Sequence, residues 1–256
     1  MSTTGERLDV ALVSRGLVET REKAQRLIQV GVVFVNDQRS DKPGTRVRAT
    51  DKLFVKADPC PYVSRGGIKL AAALDHFEVN PLNRICVDIG ASTGGFTDCL
   101  LQRGAQRIWA IDVGHNQLDY RIRTDSRVWV LERLNIRHID QHGAYQQITE
   151  SSPTLFVCDL SFISLRLVLP IVREMIPRDG HLICLVKPQF EVGREHVGKG
   201  GIVRDEAQRV AAVQGIVDFG KSLKLTVSDP IESPIQGAKG NIEYLIHGRP
   251  RPNDIG

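Results

Sequence analysis

The sequence predicts an α/β fold in which a doubly wound, mostly parallel sheet of seven strands follows a small α+β domain. Apolar strand-like runs alternate with helix-like segments from Ser64 onward, which is the pattern of strands joined by helical crossovers. The first 58 residues have a different pattern, and prolines at positions 59 and 61 follow them. We therefore expect one domain at residues 1–58, a semi-rigid linker at 59–63 and a larger domain at 64–256.

The small domain is predicted to contain two short helices and a small sheet. Apolar residues recur at helical spacing from Leu8 to Leu12, and Gly16 ends this first helix. Thr20 is a suitable N-cap for a second helix, which Gly31 closes. Two strand-like runs follow, at Val32–Val35 and Leu53–Lys56.

This domain resembles the S4 RNA-binding domain over nearly its whole length. The matching residues are Arg7-Leu8-Asp9, Ser14-Arg15-Gly16, Thr20-Arg21, Ala24, Leu27-Ile28, Gly31, Val33, Val35-Asn36, Lys42-Pro43 and Asp51. Members of that family bind structured RNA through the second helix and its flanking loop. The resemblance therefore implies that four cations contact RNA phosphates: Arg15, Arg21, Lys23 and Arg26.

Positive charge is concentrated in the same domain. Residues 1–58 hold eleven Lys/Arg and eight Asp/Glu, so they contribute +3 to the net charge of the chain, which is +4. A local excess of this kind indicates contact with a polyanion, and the alternative is an ordinary solvated surface.

The larger domain contains seven strand-like runs. In chain order they are Arg84–Ile89, Ile108–Asp112, Val128–Leu131, Leu155–Asp159, His181–Val186, Leu225–Asp229 and Asn241–Ile246. Helix-like segments separate several of them, among them Phe96–Arg103 and Ala207–Lys221. Helices on both faces of the sheet would bury the apolar strands.

A glycine-containing loop, Asp88–Thr97, joins the first of these strands to a helix. Its small residues let the backbone approach a ligand at the carboxyl end of a strand, where nucleotide-like cofactors bind. Asp112 ends the next strand 24 residues after Asp88, about the spacing at which a carboxylate hydrogen-bonds a ribose diol. Because the glycines do not read Gly-x-Gly-x-x-Gly, a cofactor with a ribose and no diphosphate fits better than a nicotinamide dinucleotide. A simple tight turn is the alternative.

Four charged residues interrupt or end apolar stretches near the expected carboxyl edge of the sheet. Asp159 and Lys187 each end a strand-like run, and Glu243 lies in the last run. Lys69 follows Ser64-Arg65-Gly66-Gly67. Charges in such places must be paired or solvated, so these residues form either a shared site or separate exposed strand ends.

The residues after the fourth strand favour a hydroxyl group as the acceptor if this site transfers a methyl group. Enzymes that methylate exocyclic base amines commonly have Asp/Asn-Pro-Pro-aromatic there, whereas this chain has Asp159-Leu160-Ser161-Phe162. Methylation of a base at C5 needs a nucleophilic cysteine beside the substrate, but Cys158 and Cys184 lie within apolar runs.

The four charged residues match, in order and setting, the Lys-Asp-Lys-Glu tetrad of RNA 2′-O-methyltransferases of the FtsJ/RrmJ type. With the S4-like domain, the Asp88–Thr97 loop and Lys187-Pro188-Gln189-Phe190-Glu191, they make the chain similar to the TlyA family over about residues 6–248. That family is described both as ribosomal RNA cytidine 2′-O-methyltransferase and as haemolysin. The resemblance implies a seven-stranded methyltransferase sheet and S-adenosylmethionine as the cofactor.

The resemblance also implies roles for individual residues. Lys187 would accept the proton of a ribose 2′-hydroxyl, while Asp159, Lys69 and Glu243 position it and the ribose. The cofactor would contact Asp88, Gly90, Ser92, Thr93, Asp112 and Asn135. Further RNA contacts would come from Arg65, and from Arg194 and Lys199 in the glycine-rich segment Gln189–Arg204, for which a plain connector is the alternative.

Other classes of site and location fit the sequence poorly. Five cysteines without a Cys-x-x-Cys pair and seven scattered histidines predict no metal site. No apolar run approaches the roughly 18 residues that span a bilayer, and the amino terminus lacks the layout of a signal peptide. We therefore expect a cytoplasmic protein that acts on ribosomal RNA or ribosomal subunits. The rival interpretations are a haemolysin-like membrane-active protein and an RNA-binding protein whose methyltransferase fold is catalytically silent.

Overall fold

The computed structural model describes residues 5–56, 60–237 and 240–252 and divides the chain into two compact units, residues 1–61 and 62–256. Asp58, the last residue of the predicted small domain, lies outside the described residues. Pro59, the first residue of the predicted linker, lies outside them as well.

The first unit packs two helices with two small antiparallel sheets around one hydrophobic core. Its helices are α1 (Leu8–Ser14) and α2 (Arg21–Gln29), and its strands are β1 (Glu6–Arg7), β2 (Val33–Val35), β3 (Gln38–Arg39), β4 (Arg46–Val47) and β5 (Leu53–Val55). Thr20 caps α2, because its hydroxyl accepts a hydrogen bond from the Lys23 amide at 3.2 Å. β1 pairs with β4, and β2 lies between β3 and β5. This is the two-helix arrangement that the sequence predicts.

The second unit is an eight-stranded sheet with helices on both faces. Its strands are β6 (Ile85–Ile89), β7 (Arg107–Ile111), β8 (Val128–Leu131), β9 (Leu155–Cys158), β10 (His181–Val186), β11 (Leu225–Val227), β12 (Ile231–Glu232) and β13 (Tyr244–Pro250). Its helices are α3 (Gly66–His76), α4 (Gly95–Gln102), α5 (Tyr120–Arg123), α6 (Ala144–Glu150), α7 (Leu169–Met175) and α8 (Glu206–Ser222). The doubly wound α/β prediction is confirmed; β12, which is two residues long, is the strand added to the predicted seven.

The strand order is β11-β13-β10-β9-β6-β7-β8, and β12 also pairs with β13. The strands β6 to β10 are parallel to their neighbours within this group, whereas β13 runs antiparallel to β10. The chain passes from β6 outward to β7 and β8 and then returns to β9 on the other side of β6, so the direction of strand addition reverses beside β6. A crevice opens at the carboxyl edge of such a sheet, where the loops after the central strands diverge.

Alternate residues of the buried strands enter two separate cores, as expected for a sheet covered on both faces. In β6, Val87 packs in one cluster and Cys86 in the other. The first cluster also contains Val172 of α7 and Ile216 of α8. The second contains residues of the helices on the opposite face, Leu70 of α3 and Leu100 of α4.

The last strand begins later than the sequence predicts. The predicted run is Asn241–Ile246, and the observed strand is Tyr244–Pro250. A turn occupies the first predicted positions, since the Gly237 amide donates to the Asn241 carbonyl at 2.8 Å. Antiparallel pairing with β10 and β11 then continues to the end of the strand. Glu243 therefore stands immediately before β13 rather than inside a strand.

Candidate functional site

The loop after β6 brings backbone close to the neighbouring strand. Gly90 has φ of +88°, and a Cβ at this position would lie 2.5 Å from the carbonyl oxygen of Asp159. Only glycine fits such an approach without moving the backbone of the next loop. Gly94, with φ of +94°, turns the chain into α4. The carboxyl end of β6 is thus accessible to a ligand.

Two carboxylates flank this loop in different surroundings. Asp88 is fully buried, and its Oδ2 accepts a hydrogen bond from the Thr97 hydroxyl at 2.6 Å. Burial raises the pKa of Asp88 to about 7, and the charges of Asp159 and Asp112 act in the same direction. Asp112 instead accepts backbone hydrogen bonds from Ser92 at 2.8 Å and Gly114 at 2.6 Å, one on each carboxylate oxygen.

A cavity of about 320 Å³ lies beside Asp112, between the loops after β6, β7 and β9. Its wall is largely apolar, with Ile89, Ile111, Leu134 and Ile136 among the lining residues. Asn135 stands between two of these residues, and its side chain caps the following turn by accepting a hydrogen bond from the Arg137 amide. Asp112 and Asp159 both line this cavity. An apolar wall with a few well-positioned polar groups suits the adenine and ribose of a nucleoside.

A second cavity of about 270 Å³ adjoins the first. Lys69, Lys187 and Arg65 line it, together with Thr93 of the loop after β6. The two cavities share four lining residues: Gly90, Ser92, Asp159 and Ser161. A ligand in the first cavity would therefore be adjacent to a group held in the second.

The structure brings the four predicted catalytic residues together as two ion pairs. Lys187 Nζ lies 2.6 Å from Asp159 Oδ1 and donates to Ser161 Oγ at 2.8 Å. Lys69 pairs with Glu243, and both side chains are buried. Buried charges are retained when each has a partner of opposite sign, as these have.

The sheet explains why these residues meet. Asp159 and Lys187 directly follow β9 and β10, which are parallel neighbours, so both lie at the carboxyl edge. Glu243 directly precedes β13, and β13 is antiparallel to β10 with Tyr244 opposite Val186. The amino end of an antiparallel strand lies at the carboxyl edge of its neighbour. Lys69 lies in the first turn of α3.

The sequence analysis did not identify two further side chains at this edge of the sheet, Ser161 and Glu191. Ser161 is the hydroxyl acceptor for Lys187, as described above. Glu191 spans two loops: it accepts from the Ser164 hydroxyl at 2.6 Å and from the Leu165 amide at 2.8 Å. Burial raises the pKa of Glu191. The Lys187–Glu191 motif contains this residue, but nothing local in the motif identifies its partners.

Most of the predicted RNA contacts in the first unit already have intramolecular partners. Arg15 donates to the carbonyl groups of Asp51 and Arg48, and Lys23 lies 3.4 Å from a Glu19 carboxylate oxygen. Arg21 donates to the buried carboxylate of Asp9. Arg26 is partly buried. In the second unit, Arg194 and Lys199 are exposed; Lys199 lies within a short turn closed by pairing of Gly198 with Ile202, and Arg194 precedes that turn. All of these RNA contacts stay predictions.

Within the described ranges, no group of three or more His, Cys, Asp or Glu side chains is placed to hold a metal ion. In the same part of the chain, no helix is both long and apolar enough to cross a membrane.

Comparison with known proteins agrees with this geometry. Residues 62–249 match the FtsJ-like methyltransferase family, and residues 6–53 match the S4 domain. Fold and site together thus define the chain as an FtsJ-like methyltransferase that carries an S4 domain.

Relatives make the assignment more specific. The chain is 47% identical to a candidate rRNA methyltransferase, YqxC, of Bacillus subtilis, over 96% of this chain and 86% of that protein. It is 42% identical to TlyA of Mycobacterium tuberculosis, named a 16S/23S rRNA (cytidine-2′-O)-methyltransferase, over 94% and 88% of the two chains. A solved structure of a candidate hemolysin from Streptococcus thermophilus superposes with a TM-score of 0.75 and 41% identity, over 98% of this chain and 90% of that one. The chain belongs to the TlyA family.

Proposed function

We propose that the protein transfers a methyl group from S-adenosylmethionine to the ribose 2′-hydroxyl of a cytidine in ribosomal RNA. The observation that carries this proposal is that Lys187, Asp159 and Lys69 line one cavity, which adjoins the apolar cavity of Asp112. Glu243 is buried and pairs with Lys69. Paired lysines and carboxylates suit deprotonation of a hydroxyl, which has no need of a cysteine nucleophile.

The cavity beside Asp112 fits the cofactor. Asp112 keeps an acceptor position on each carboxylate oxygen after binding the two backbone amides, so it can receive the two hydroxyls of a ribose. Ile111 and Ile136 offer an apolar wall for a base, and Gly90, which has no side chain, also lines the cavity. Asp88 lies beneath the loop and holds its shape through Thr97. When bound, S-adenosylmethionine supplies the electrophilic methyl group.

The protein's own part in the reaction is to orient the ribose hydroxyl and to take its proton. Lys187 Nζ is the proposed acceptor, a role that it can fill only after it has released its own proton from the pair with Asp159. Asp159 and Ser161 fix the position of that nitrogen at 2.6 and 2.8 Å. The Lys69–Glu243 pair lies in the same site and holds the other side of the ribose. Such positioning removes much of the entropic barrier to an in-line approach.

The RNA substrate is proposed from the family and from the S4 domain. The relative from Mycobacterium tuberculosis is named for methylation of cytidine 2′-hydroxyls in 16S and 23S rRNA. The S4 match at residues 6–53 supplies a module for structured RNA. A ribosomal substrate implies that the protein acts in the cytoplasm on ribosomal subunits.

Replacement of Lys187 tests the proposed reaction. Lys187→Ala should lower methyl transfer to unmethylated ribosomal RNA by about a hundredfold or more, as for the loss of a general base. Cofactor and RNA affinity should remain near those of the parent. Lys221→Ala, which removes an exposed lysine of α8, is the matched control. Methyl transfer at the parent rate by Lys187→Ala would rule out this residue as the proton acceptor.

A membrane-lytic activity is the second candidate, because one solved relative is described as a candidate hemolysin. Release of haemoglobin from erythrocytes by the purified protein, without cofactor, is the direct measurement. Lysis that persists in Lys187→Ala would establish an activity independent of the tetrad. A catalytically silent RNA-binding protein would instead bind ribosomal RNA and leave no new 2′-O-methyl group on it.

A further inference from the structure

The basic excess of the first unit lies in the strands β2 to β5 and the segments beside them rather than in its helices. Residues 32–56 hold six Lys/Arg and three Asp/Glu, whereas residues 1–31 hold five and four. Three of the helix-region cations predicted to bind RNA are engaged by carbonyl groups or carboxylates of the same unit, as described above. The strands therefore present more uncompensated positive charge.

One face of the three-stranded sheet carries three of these six cations together with aromatic rings. Phe34 of β2 lies opposite Phe54 of β5 on one side and Arg39 of β3 on the other. Residues directly opposite one another in a sheet share a face, so these three side chains form a row across the strands. The alternate residues of β2 and β5 pack against the core of the unit instead.

The aromatic part of this row is open to solvent. Phe54 is 59% exposed, and its ring centroid lies 6.3 Å from that of Phe34 at an interplanar angle of 49°. Lys52 and Lys56 are exposed two positions before and after Phe54, so the period of the strand places them on the same face. Among the residues that the structure describes, neither lysine takes part in an ion pair, and Arg39 forms none either. We call Phe34, Arg39, Lys52, Phe54 and Lys56 the strand face.

We propose that the strand face binds an unpaired stretch of the RNA substrate, in addition to any contact made by α2. Bases would stack on Phe54 and Phe34, and the flanking phosphates would lie against Lys52, Lys56 and Arg39. Aromatic rings on a sheet bind unpaired bases because every base has a π face, and the surrounding cations attract the backbone. Paired bases are already stacked, so a duplex gains only the electrostatic part. This inference rests on RNA being the substrate, as proposed above.

Binding of short RNAs to the full chain, without cofactor, tests the inference. The probes are a twelve-nucleotide single strand and a blunt duplex containing the same sequence, measured by fluorescence anisotropy over a range of KCl concentrations. Phe54→Ala should weaken binding of the single strand by about tenfold, within the range for loss of one stacked base, and change duplex binding by less than about twofold. Phe54→Trp should bind both probes as the parent does.

The salt dependence of RNA binding tests the two lysines of the strand face separately. Combined Lys52→Gln and Lys56→Gln should lower the slope of log affinity against log salt by about 1.4 for the single strand, since each phosphate contact contributes about 0.7. Lys42→Gln, a lysine of the same unit that lies outside the strand face, is the matched control and should leave affinity and slope near the parent values. Thermal unfolding and S-adenosylmethionine affinity of every variant verify the fold.

Parent-like binding of the single strand by Phe54→Ala and by the double lysine variant would overturn the inference. The inference would also be overturned if Phe54→Ala lowered the unfolding temperature or the cofactor affinity but left RNA binding unchanged. The strand face would then contribute to the folded structure and not to RNA binding. Methylation of ribosomal RNA by the parent is measured alongside. If methylation holds while the variants bind normally, only the strand-face inference fails; if the parent neither binds nor methylates RNA, the proposed function fails.

Discussion

At the scale of single residues, Asp88 and Asp112 are two carboxylates whose different surroundings give them different roles. Both come from the carboxyl ends of neighbouring parallel strands. Asp88 is fully buried with one hydroxyl donor, whereas Asp112 meets two amides and lines a cavity. The first therefore supports the loop, and the second is available to a ligand.

Asp112→Ala should weaken S-adenosylmethionine binding by about 1–3 kcal/mol, the usual range for loss of a charged hydrogen-bonding group. Calorimetric titration of the cofactor is the measurement. Asp119→Ala, which removes the carboxylate that caps α5, serves as a control. Equal affinity of Asp112→Ala and the parent would remove Asp112 from the cofactor site.

Asp88 should make stability depend on pH in an unusual direction. An acid whose pKa is higher in the folded chain than in the unfolded chain binds more protons when folded, so the free energy of unfolding falls as pH rises between the two values. For Asp88 that window runs from its ordinary value, 3.8, to about 7. Asp88→Asn keeps an acceptor for Thr97 and removes the ionisation. The variant should therefore gain stability over the parent, and the gain should be larger at pH 8 than at pH 5.

Urea unfolding of both proteins at the two pH values measures this difference. Other titrating groups are common to both proteins and cancel in the comparison. A difference in stability that is the same at pH 5 and pH 8 would contradict a raised pKa for Asp88.

At the scale of elements, the loops after β9 and β10 are joined at three points. Lys187 contacts Asp159 and Ser161, the rings of Phe190 and Phe162 lie 5.2 Å apart, and Glu191 binds the start of the turn at Ser164. The position of Lys187, the proposed proton acceptor, relative to its partners thus depends on contacts between two loops. Glu191 is a positioning residue in this arrangement.

Glu191→Ala should lower the turnover number by about tenfold to a hundredfold, because small displacements of positioned groups have effects of that size. The affinity for S-adenosylmethionine should change little, since Glu191 does not line the cofactor cavity. Glu191→Gln should restore turnover, because an amide can accept from the Leu165 amide and donate to the Ser164 hydroxyl.

Steady-state kinetics and cofactor titration of both variants give the required separation of turnover from binding. Glu174→Ala, which removes an exposed carboxylate of α7, is the control. If Glu191→Gln is as impaired as Glu191→Ala, or if both lose cofactor binding equally, Glu191 does not act by positioning the loops.

At the scale of the whole molecule, the chain consists of two units that each bury a core of their own. One hydrophobic cluster draws all of its residues from positions 8–55, and the two others draw theirs from positions 62–246. Units with independent cores can fold separately. Cofactor binding and RNA affinity should therefore separate along the chain.

A chain that begins at Tyr62 should fold and bind S-adenosylmethionine, because the cofactor cavity and both of its cores lie downstream. Its affinity for ribosomal RNA should fall, and the salt dependence of binding should become shallower, since fewer phosphate contacts release fewer counterions. RNA affinity against salt concentration, with cofactor affinity as the folding control, is the measurement. Equal affinity and slope for the full and shortened chains would assign RNA binding to the second unit, with Arg194 and Lys199 as its candidates.

Local sequence rules were sufficient for most elements, because they depend on neighbours along the chain. Continuous apolar runs identified β8 and β10 with their observed bounds, and Thr20 marked the start of α2 as an N-cap. The late start of β13 was missed, since a turn formed by Gly237 and Asn241 competes with the strand pattern there.

The sequence by itself determined the two helices of the first unit, seven of the eight strands of the second unit and the glycine loop after β6, and it singled out the four charged residues of the proposed tetrad. Only the tertiary structure decided that Lys69 meets Glu243, 174 positions away in the chain, because that contact depends on the antiparallel placement of β13 beside β10. It also decided that Arg15 and Arg21 bind groups of their own unit and that the rings of Phe34 and Phe54 share an exposed face. Strand order and register set such contacts, and neither is encoded in the residues next to the site.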